Sequence, residues 1–367
     1  MPYATPEGTQ AYAQRFPDFQ KAGHYRDFLG LQVSSLGLGT YLGNTNETDD
    51  KLYVEAIKAA LTSGINLLDS AINYRCMRSE RAIGQALKEL IKEGKIRREE
   101  VVVCTKGGFI PFDGAPPSNP SQYFHQEYLG PGICSDEDVV AGCHCMAPKY
   151  LRNQVERSLK NFGLDCIDLY YIHNPETQLE EVSHEIFYVR LEAAFRELEK
   201  LVAEGKISAY GLATWNGFRV PAESPEHLSL HEVLKAAEKA GGNSRHFKAV
   251  QLPYNLGMAE AYGLPNQVLR SQTVSFLEAA KANSIAVFTS ASILQSRLSK
   301  NLPPVVAESF PGLSTDGQRA IQFVRSTPGV TAALVGMKRK DHVAENLGVA
   351  KATPASAQTL EALFSAR

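Results

Sequence analysis

"INLLDSAINYRCMRSERAIGQALKELIKEGKIRREEVVVCTK", residues 65–106, holds one complete repeat of the fold. An apolar run over 65–70 ends at Asp69, and a loop carries Tyr74 five places further on. Ile83, Ala86, Leu87 and Leu90 then recur at the spacing of one helix face. Ser79 stands where a side-chain cap would open that helix, and Gly94 near where it would stop. A second apolar run, 101–106, ends at Lys106. Strand, loop, helix and strand in this order mean two parallel strands joined by a crossover helix, because antiparallel neighbours need only a tight turn.

The same alternation continues in both directions. Strand candidates are VSSLGLGT (33–40), the two runs above, IDLYYIH (167–173), ISAYGLAT (207–214), KAVQLPY (248–254), IAVFTS (285–290) and TAALVG (331–336), eight in all. In the fourth connection Leu151, Val155, Leu159 and Phe162 form one helical stripe, and Gly163 supplies its stop. Eight βα units with no shift of composition between them favour one closed (β/α)8 TIM barrel of the α/β class, a single domain over 1–367, against two doubly wound domains. The barrel core covers about 31–350. Outside the units lie an N-terminal extension (1–30), a long insertion after strand three (107–147), the stretch 216–226 after strand five and a C-terminal helix near 355–366. Residues 31–36 are expected to complete a short hairpin closing the barrel bottom. GLGTYLG (37–43) looks like a dinucleotide fingerprint, but its third glycine falls one residue late and no helical stripe begins inside it. It reads instead as glycines at a strand end, where the backbone must turn.

With 38 basic and 40 acidic residues the formal charge is −2, which supplies no general attraction to nucleic acid or to a membrane surface. The first residues lack the cationic start and apolar run of a secretory signal, and no segment is apolar for long enough to span a bilayer. The expectation is a soluble cytoplasmic protein acting on a small molecule, with its six cysteines mostly reduced thiols.

If the strands are placed correctly, their C-terminal ends bring Asp69, Lys106 and His173 to one barrel mouth, with Tyr74 in the loop just beyond. Singly, each has a plainer role: a turn cap, a solvated lysine, a packed tyrosine, a core histidine. Together they can move a proton to a carbonyl oxygen. A phenol near pKa ~10 is a sluggish acid, and an adjacent ammonium is expected to lower it by roughly one to three units. Lys106 is that ammonium, Asp69 holds it, and His173 donates a hydrogen bond to the substrate oxygen as charge builds.

The chain resembles the aldo-keto reductase superfamily from about residue 31 to 350. The family's D-x-A-x-x-Y followed by S/G-E is matched by Asp69, Ala71, Tyr74, Ser79 and Glu80. Its T-K is matched by Thr105 and Lys106, and its D-L-x-x-x-H by Asp168, Leu169 and His173. The preceding Q-x-E-x-S-L helix is matched by Gln154, Glu156, Ser158 and Leu159, and GLGT (37–40) is the first-strand motif. The resemblance implies catalysis by Asp69, Tyr74, Lys106 and His173 with hydride from a nicotinamide dinucleotide. For cofactor binding it implies Gly39, Thr40, Asp69, Thr214, Gln251 against the carboxamide, Ser290, Ala291, Ile293 and Gly336. Lys338 and Arg339 are then placed to meet a 2′-phosphate, which favours NADP(H) over NAD(H), while His342, Glu345 and Asn346 fall on adenine-side positions.

Two departures stand out. Gly211, Leu212, Ala213 and Thr214 replace the usual G-x-S-N after strand five, so one carboxamide contact is missing and another must come from Thr214. Ser290, Ala291, Ser292 and Ile293 replace aromatic-Ser-Pro-Leu after strand seven, so either cofactor binding is weaker or Trp215 or Phe288 supplies the missing aromatic face. The insertion holds Cys134, Cys143, His144 and Cys145, at spacings poor for zinc, and no metal is expected. It reads as a substrate loop over the mouth with its cysteines as small lining residues. Tyr123, Phe124, His125 and Tyr128 are either further substrate contacts or packing within the loop. The function expected is an NADP(H)-dependent oxidoreductase interconverting an aldehyde or ketone, sugar-like among the candidates, with its alcohol. The rivals are a cofactor-binding regulatory protein of the same fold with little turnover, and a barrel metallohydrolase.

Overall fold

The computed structural model describes residues 3–365; positions 1, 2, 366 and 367, including the last residue of the expected C-terminal helix, lie outside the described residues. Eight parallel strands close into a barrel: β1 Leu36–Gly39, β2 Leu67–Asp69, β3 Val102–Gly107, β4 Ile167–His173, β5 Ile207–Ala213, β6 Phe247–Pro253, β7 Ala286–Ser290 and β8 Val330–Gly336. Sequential strands pair throughout, and β8 returns to β1 in the register Gly336↔Gly39. The crossover helices are α1 Glu47–Ser63, α2 Arg78–Lys92, α3 Pro148–Phe162, α4 His184–Ala203, α5 Leu230–Gly241, α6 Phe276–Ala282, α7 Asp316–Ser326 and α8 Lys340–Asn346.

The helix stripes read from the sequence face inward. Ile83, Ala86, Leu87 and Leu90 of α2 are buried with Leu151, Val155 and Phe162 of α3 in one cluster around the barrel. Gly163 ends α3 in a left-handed conformation at φ 65°. Ser79 does not cap α2, which opens at Met77 without a side-chain cap. Its hydroxyl instead donates to the Thr40 carbonyl at 2.7 Å and so ties α2 to the end of β1.

At the barrel bottom the expected hairpin is larger than 31–36. Tyr25–Phe28 pairs antiparallel with Leu31–Ser34, so the chain breaks at Ser35 and the 33–40 run belongs to two elements. Phe28, Leu31 and Val33 enter the barrel interior with Leu67, Val102, Leu169 and Phe288. The insertion packs on itself and on the start of α3, with Tyr128, Cys134 and Cys145 gathered around Tyr150 in a small separate core. A ribbon of Pro265–Leu269 with Gln272–Ser275, absent from the sequence expectation, precedes α6. All six cysteines are free, and among the described residues no helix is long and apolar enough to cross a membrane.

Candidate active site

The strand ends converge as the topology requires. Lys106 Nζ donates to Asp69 Oδ2 at 2.7 Å and to the Ser70 carbonyl at 2.6 Å, with both charged side chains buried. It lies 4.8 Å from the centre of the Tyr74 ring. Tyr74 and His173 meet edge to face with centroids 5.7 Å apart. Asp69, Tyr74 and His173 line one cavity of about 550 Å³ at the mouth, and Lys106 sits behind them.

The electrostatics differ from the sequence expectation in one respect. Burial drives the Tyr74 phenol upward, and the attraction of Lys106 only partly offsets it, so the net shift is up, not down. The desolvated wall of the cavity outweighs one ammonium. Burial acts to drain the charge of Lys106, yet Asp69 and then Tyr74 outweigh it and hold the ammonium above its ordinary range. Burial, then Lys106, press His173 well below the ordinary histidine value, so its ring is neutral.

The expected cofactor residues divide into two groups. Gly39, Thr40, Thr214, Gln251, Ser290, Ala291, Ile293 and Gly336 line the same cavity. Thr214 Oγ1 is buried there without a hydrogen-bond partner, and Gln251 Nε2 donates to Asp69 Oδ1 at 2.8 Å. Lys338, Arg339, His342, Glu345 and Asn346 lie beyond the cavity, at the end of β8 and on α8. Lys338 Nζ is engaged by Asp49 at 3.0 Å, and Arg339 is paired with Asp341 at 2.7 Å. Phe288 cannot supply the missing aromatic face, because it is buried in the barrel interior with its ring 5.3 Å from Phe28. Trp215 does line the cavity.

The insertion's cysteines do not line the cavity, and neither do Tyr123, Phe124, His125 or Tyr128. Tyr128 is fully buried in the insertion's own core, beside Tyr123 and Phe124. No group of three or more His, Cys, Asp or Glu among the described residues is placed to hold a metal. Tyr41, Asn73, Phe109 and Asn174 line the cavity without having been singled out. Tyr41 follows GLGT, Phe109 follows Lys106 by three, and Asn73 and Asn174 adjoin Tyr74 and His173. Adjacency to a strand end was therefore the available signal.

A closed (β/α)8 barrel thus carries at its C-terminal mouth a buried lysine–aspartate pair, a tyrosine and a neutral histidine, groups able to exchange a proton beside one cavity. Residues 35–237, more than half of the chain, match the model of the aldo/keto reductase family, and the chain belongs to that family. It is 30% identical over 190 residues to aldo-keto reductase YhdN of Bacillus subtilis, covering 51% of this chain and 45% of that one. The chain spans about half the length of the first curated relatives it matches. A probable voltage-gated potassium channel subunit beta of Oryza sativa is 23% identical over 331 residues, 87% of this chain and 88% of its own. Among solved structures, an aldo/keto reductase of Klebsiella pneumoniae in complex with NADP and acetate superposes with a TM-score of 0.61 over 92% of each chain at 20% identity, a likeness of fold.

Proposed function

We propose that the protein is an NADP(H)-dependent oxidoreductase that interconverts a small aldehyde or ketone with its alcohol. The observation that carries this reading is the cavity of about 550 Å³ shared by Tyr74, His173 and Asp69, with the Lys106 ammonium clamped behind it. A dinucleotide fits the residues present: Thr214 Oγ1 is a buried polar atom without a partner, and Gln251 presents an amide held by Asp69. Bound there, the cofactor supplies a hydride to the carbonyl carbon, and NADP is the dinucleotide carried by the Klebsiella pneumoniae relative.

The chain's own part is the proton. Tyr74 gives its hydroxyl proton to the carbonyl oxygen, and Lys106 lowers the cost of the phenolate left behind. Asp69 keeps the lysine charged and stationary. His173 is neutral, and its Nδ1 is buried without a partner, so the other ring nitrogen is the one available to the substrate oxygen.

Incubation with NADPH and a panel of aldehydes, followed by loss of reduced-nicotinamide absorbance, tests the reading. Wild type is expected to turn over. Tyr74→Phe is expected to lose about 10²–10⁴-fold in kcat while NADPH affinity stays nearly constant. Equal rates in Tyr74→Phe and wild type remove the proposed acid. Tight NADPH binding with no consumption on any aldehyde favours a regulatory protein instead.

A further inference from the structure

We propose that His144, carried to the barrel mouth by the 107–147 insertion, is a positioning residue that fixes His173 through the hydrogen bond from its Nε2 to the His173 carbonyl. The inference rests on the oxidoreductase reading above for its kinetic consequence, and on geometry alone for its structural one.

His173 needs outside support. Its Nδ1 is buried with no partner, so no hydrogen bond there sets the plane of the ring. The ring is held by packing, edge to face against Tyr74 at 5.7 Å and Phe109 at 5.1 Å, and by the course of its main chain. That main chain leaves β4 abruptly, since Asn174 adopts φ 42°. The His173 carbonyl therefore sits at a bend, and His144 Nε2 approaches it to 2.7 Å. Phe109 meets both imidazoles at near right angles, 5.2 Å from His144 and 5.1 Å from His173.

The proton on His144 can be assigned from donor logic. Arg190 of α4 can only donate, and its guanidinium reaches Gln178 Oε1 at 2.6 Å, which fixes the orientation of that amide. Gln178 Nε2 must then donate to His144 Nδ1, at 2.9 Å. The remaining ring proton is on Nε2 and points at the His173 carbonyl. Every link in Arg190, Gln178, His144 and His173 runs donor to acceptor in one direction. Burial holds His144 neutral, its value lowered to about 4.

The backbone around this bond is shaped to admit it. Gly108 has φ 147°, and a Cβ there would stand 2.8 Å from His144 Nε2 and 2.9 Å from the His173 carbonyl oxygen. The Cys145 amide donates to the Gly108 carbonyl at 2.9 Å and the Ile110 amide to the Cys143 carbonyl at 2.8 Å, which stitches the insertion to the end of β3 on either side of His144. The insertion thus contributes to the site by bracing it from behind.

The test compares the full-length chain with His144→Ala and His144→Gln, the latter keeping an N–H that can reach a carbonyl. Steady-state aldehyde reduction is measured with NADPH and with NADPH deuterated at the transferred position. For His144→Ala, kcat is expected to fall about tenfold with NADPH affinity little changed. The primary isotope effect is expected to rise, and His144→Gln to recover most of the rate. Loss of folded protein would lower kcat without altering the isotope effect, so a fall with an unchanged effect overturns the proposal. Crystal structures of the variants give a readout independent of turnover: more than one His173 ring orientation is expected in His144→Ala. A single unchanged orientation overturns the proposal whatever the kinetics. If His144→Ala does not fold, Gln178→Leu, which removes the donor that fixes the tautomer together with the acceptor for Arg190, is expected to give the same isotope signature at smaller amplitude. A wild type inert towards every aldehyde removes the oxidoreductase reading and leaves the crystallographic comparison to decide on His144.

Discussion

Burial raises the Tyr74 phenol above its ordinary value, and the Lys106 ammonium pulls it back only in part. The consequence is directional. Carbonyl reduction needs the phenol protonated, so its rate is expected to stay flat from about pH 6 to about pH 9. Alcohol oxidation needs the phenolate, so its rate is expected to climb about tenfold per pH unit over the same range. His173 is held neutral by burial and Lys106, and so adds no acid limb near the ordinary histidine value of about 6.5. Parallel pH–rate profiles in both directions, with a plateau in oxidation below about pH 9, would show that the lysine outweighs burial and that this balance is misjudged. Lys338 and Arg339, the cations expected to meet a 2′-phosphate, are already paired with Asp49 and Asp341. A 2′-phosphate must displace those carboxylates, which limits its benefit. Lys338→Ala/Arg339→Ala is expected to weaken NADPH binding about tenfold and NADH binding hardly at all. Titration of both dinucleotides by nicotinamide fluorescence measures the difference, and equal losses would detach these cations from phosphate recognition.

Among the elements, the loop joining β2 to α2 has an unusual backbone for its composition. Arg75, Cys76 and Met77 all adopt positive φ, 49°, 55° and 67°, directly after Tyr74. Left-handed conformations cost L-residues roughly 1–2 kcal/mol each, so something must hold them. The Arg75 side chain is buried, donates to the Asn44 carbonyl at 3.0 Å, lies over the Tyr53 ring and pairs with Asp50 on α1, which also takes Arg78. Asp50→Ala removes the ion-pair partner of a buried guanidinium, leaving only the more distant Asp49 carboxylate, and is expected to cost about 2–4 kcal/mol in denaturant unfolding. Asp50→Ala/Arg75→Leu is expected to recover part of that stability but not the rate, because the turn that presents Tyr74 is no longer held. Full recovery of both would mean the pair does not fix the turn. None of this was legible beforehand: a DSAINYR loop signals its carboxylate and phenol but not its backbone angles. The strands were legible for the opposite reason, since parallel strands covered on both faces read as continuous apolar runs, and 167–173 matches β4 residue for residue. The ribbon before α6 escaped because it turns on Arg270 and Ser271, both at positive φ, where Asn-Gly is the usual signal, and because the residues its strands bury, Asn266, Gln267 and Ser275, are polar and give no apolar alternation.

Across the whole molecule the two ends of the barrel have separate tasks, and the division was only half visible in the sequence. Motif residues that resemble a catalytic family divide in the same way. Asp168 accepts from Arg98 and the Val103 amide, each at 2.7 Å, and from the Ala4 amide at 2.6 Å, which binds the N-terminal segment to β4 rather than serving the mouth. Glu80 accepts from Thr105 and Asn161 and locks α2 to its neighbours. Spacing alone could not separate these supporting residues from Asp69, Lys106 and His173, because all lie on or beside the same strands: Asp168 differs in its height along the barrel, and Glu80 in facing the helix layer through Thr105 and Asn161. The hairpin at the opposite end is a stability element. Phe28 is nearly fully buried and meets Phe288 edge to face at 5.3 Å inside the barrel. Phe28→Ala removes that ring from a packed interior and is expected to cost about 3–5 kcal/mol. The site stands at the strands' C-terminal ends, so kcat and NADPH affinity measured well below the unfolding temperature are expected to match wild type. Thermal unfolding followed by circular dichroism, with kinetics on the same preparation, separates the two effects. A variant that keeps its Tm but loses turnover would show that the floor of the barrel shapes the mouth, and the division of labour between its ends would have to be abandoned.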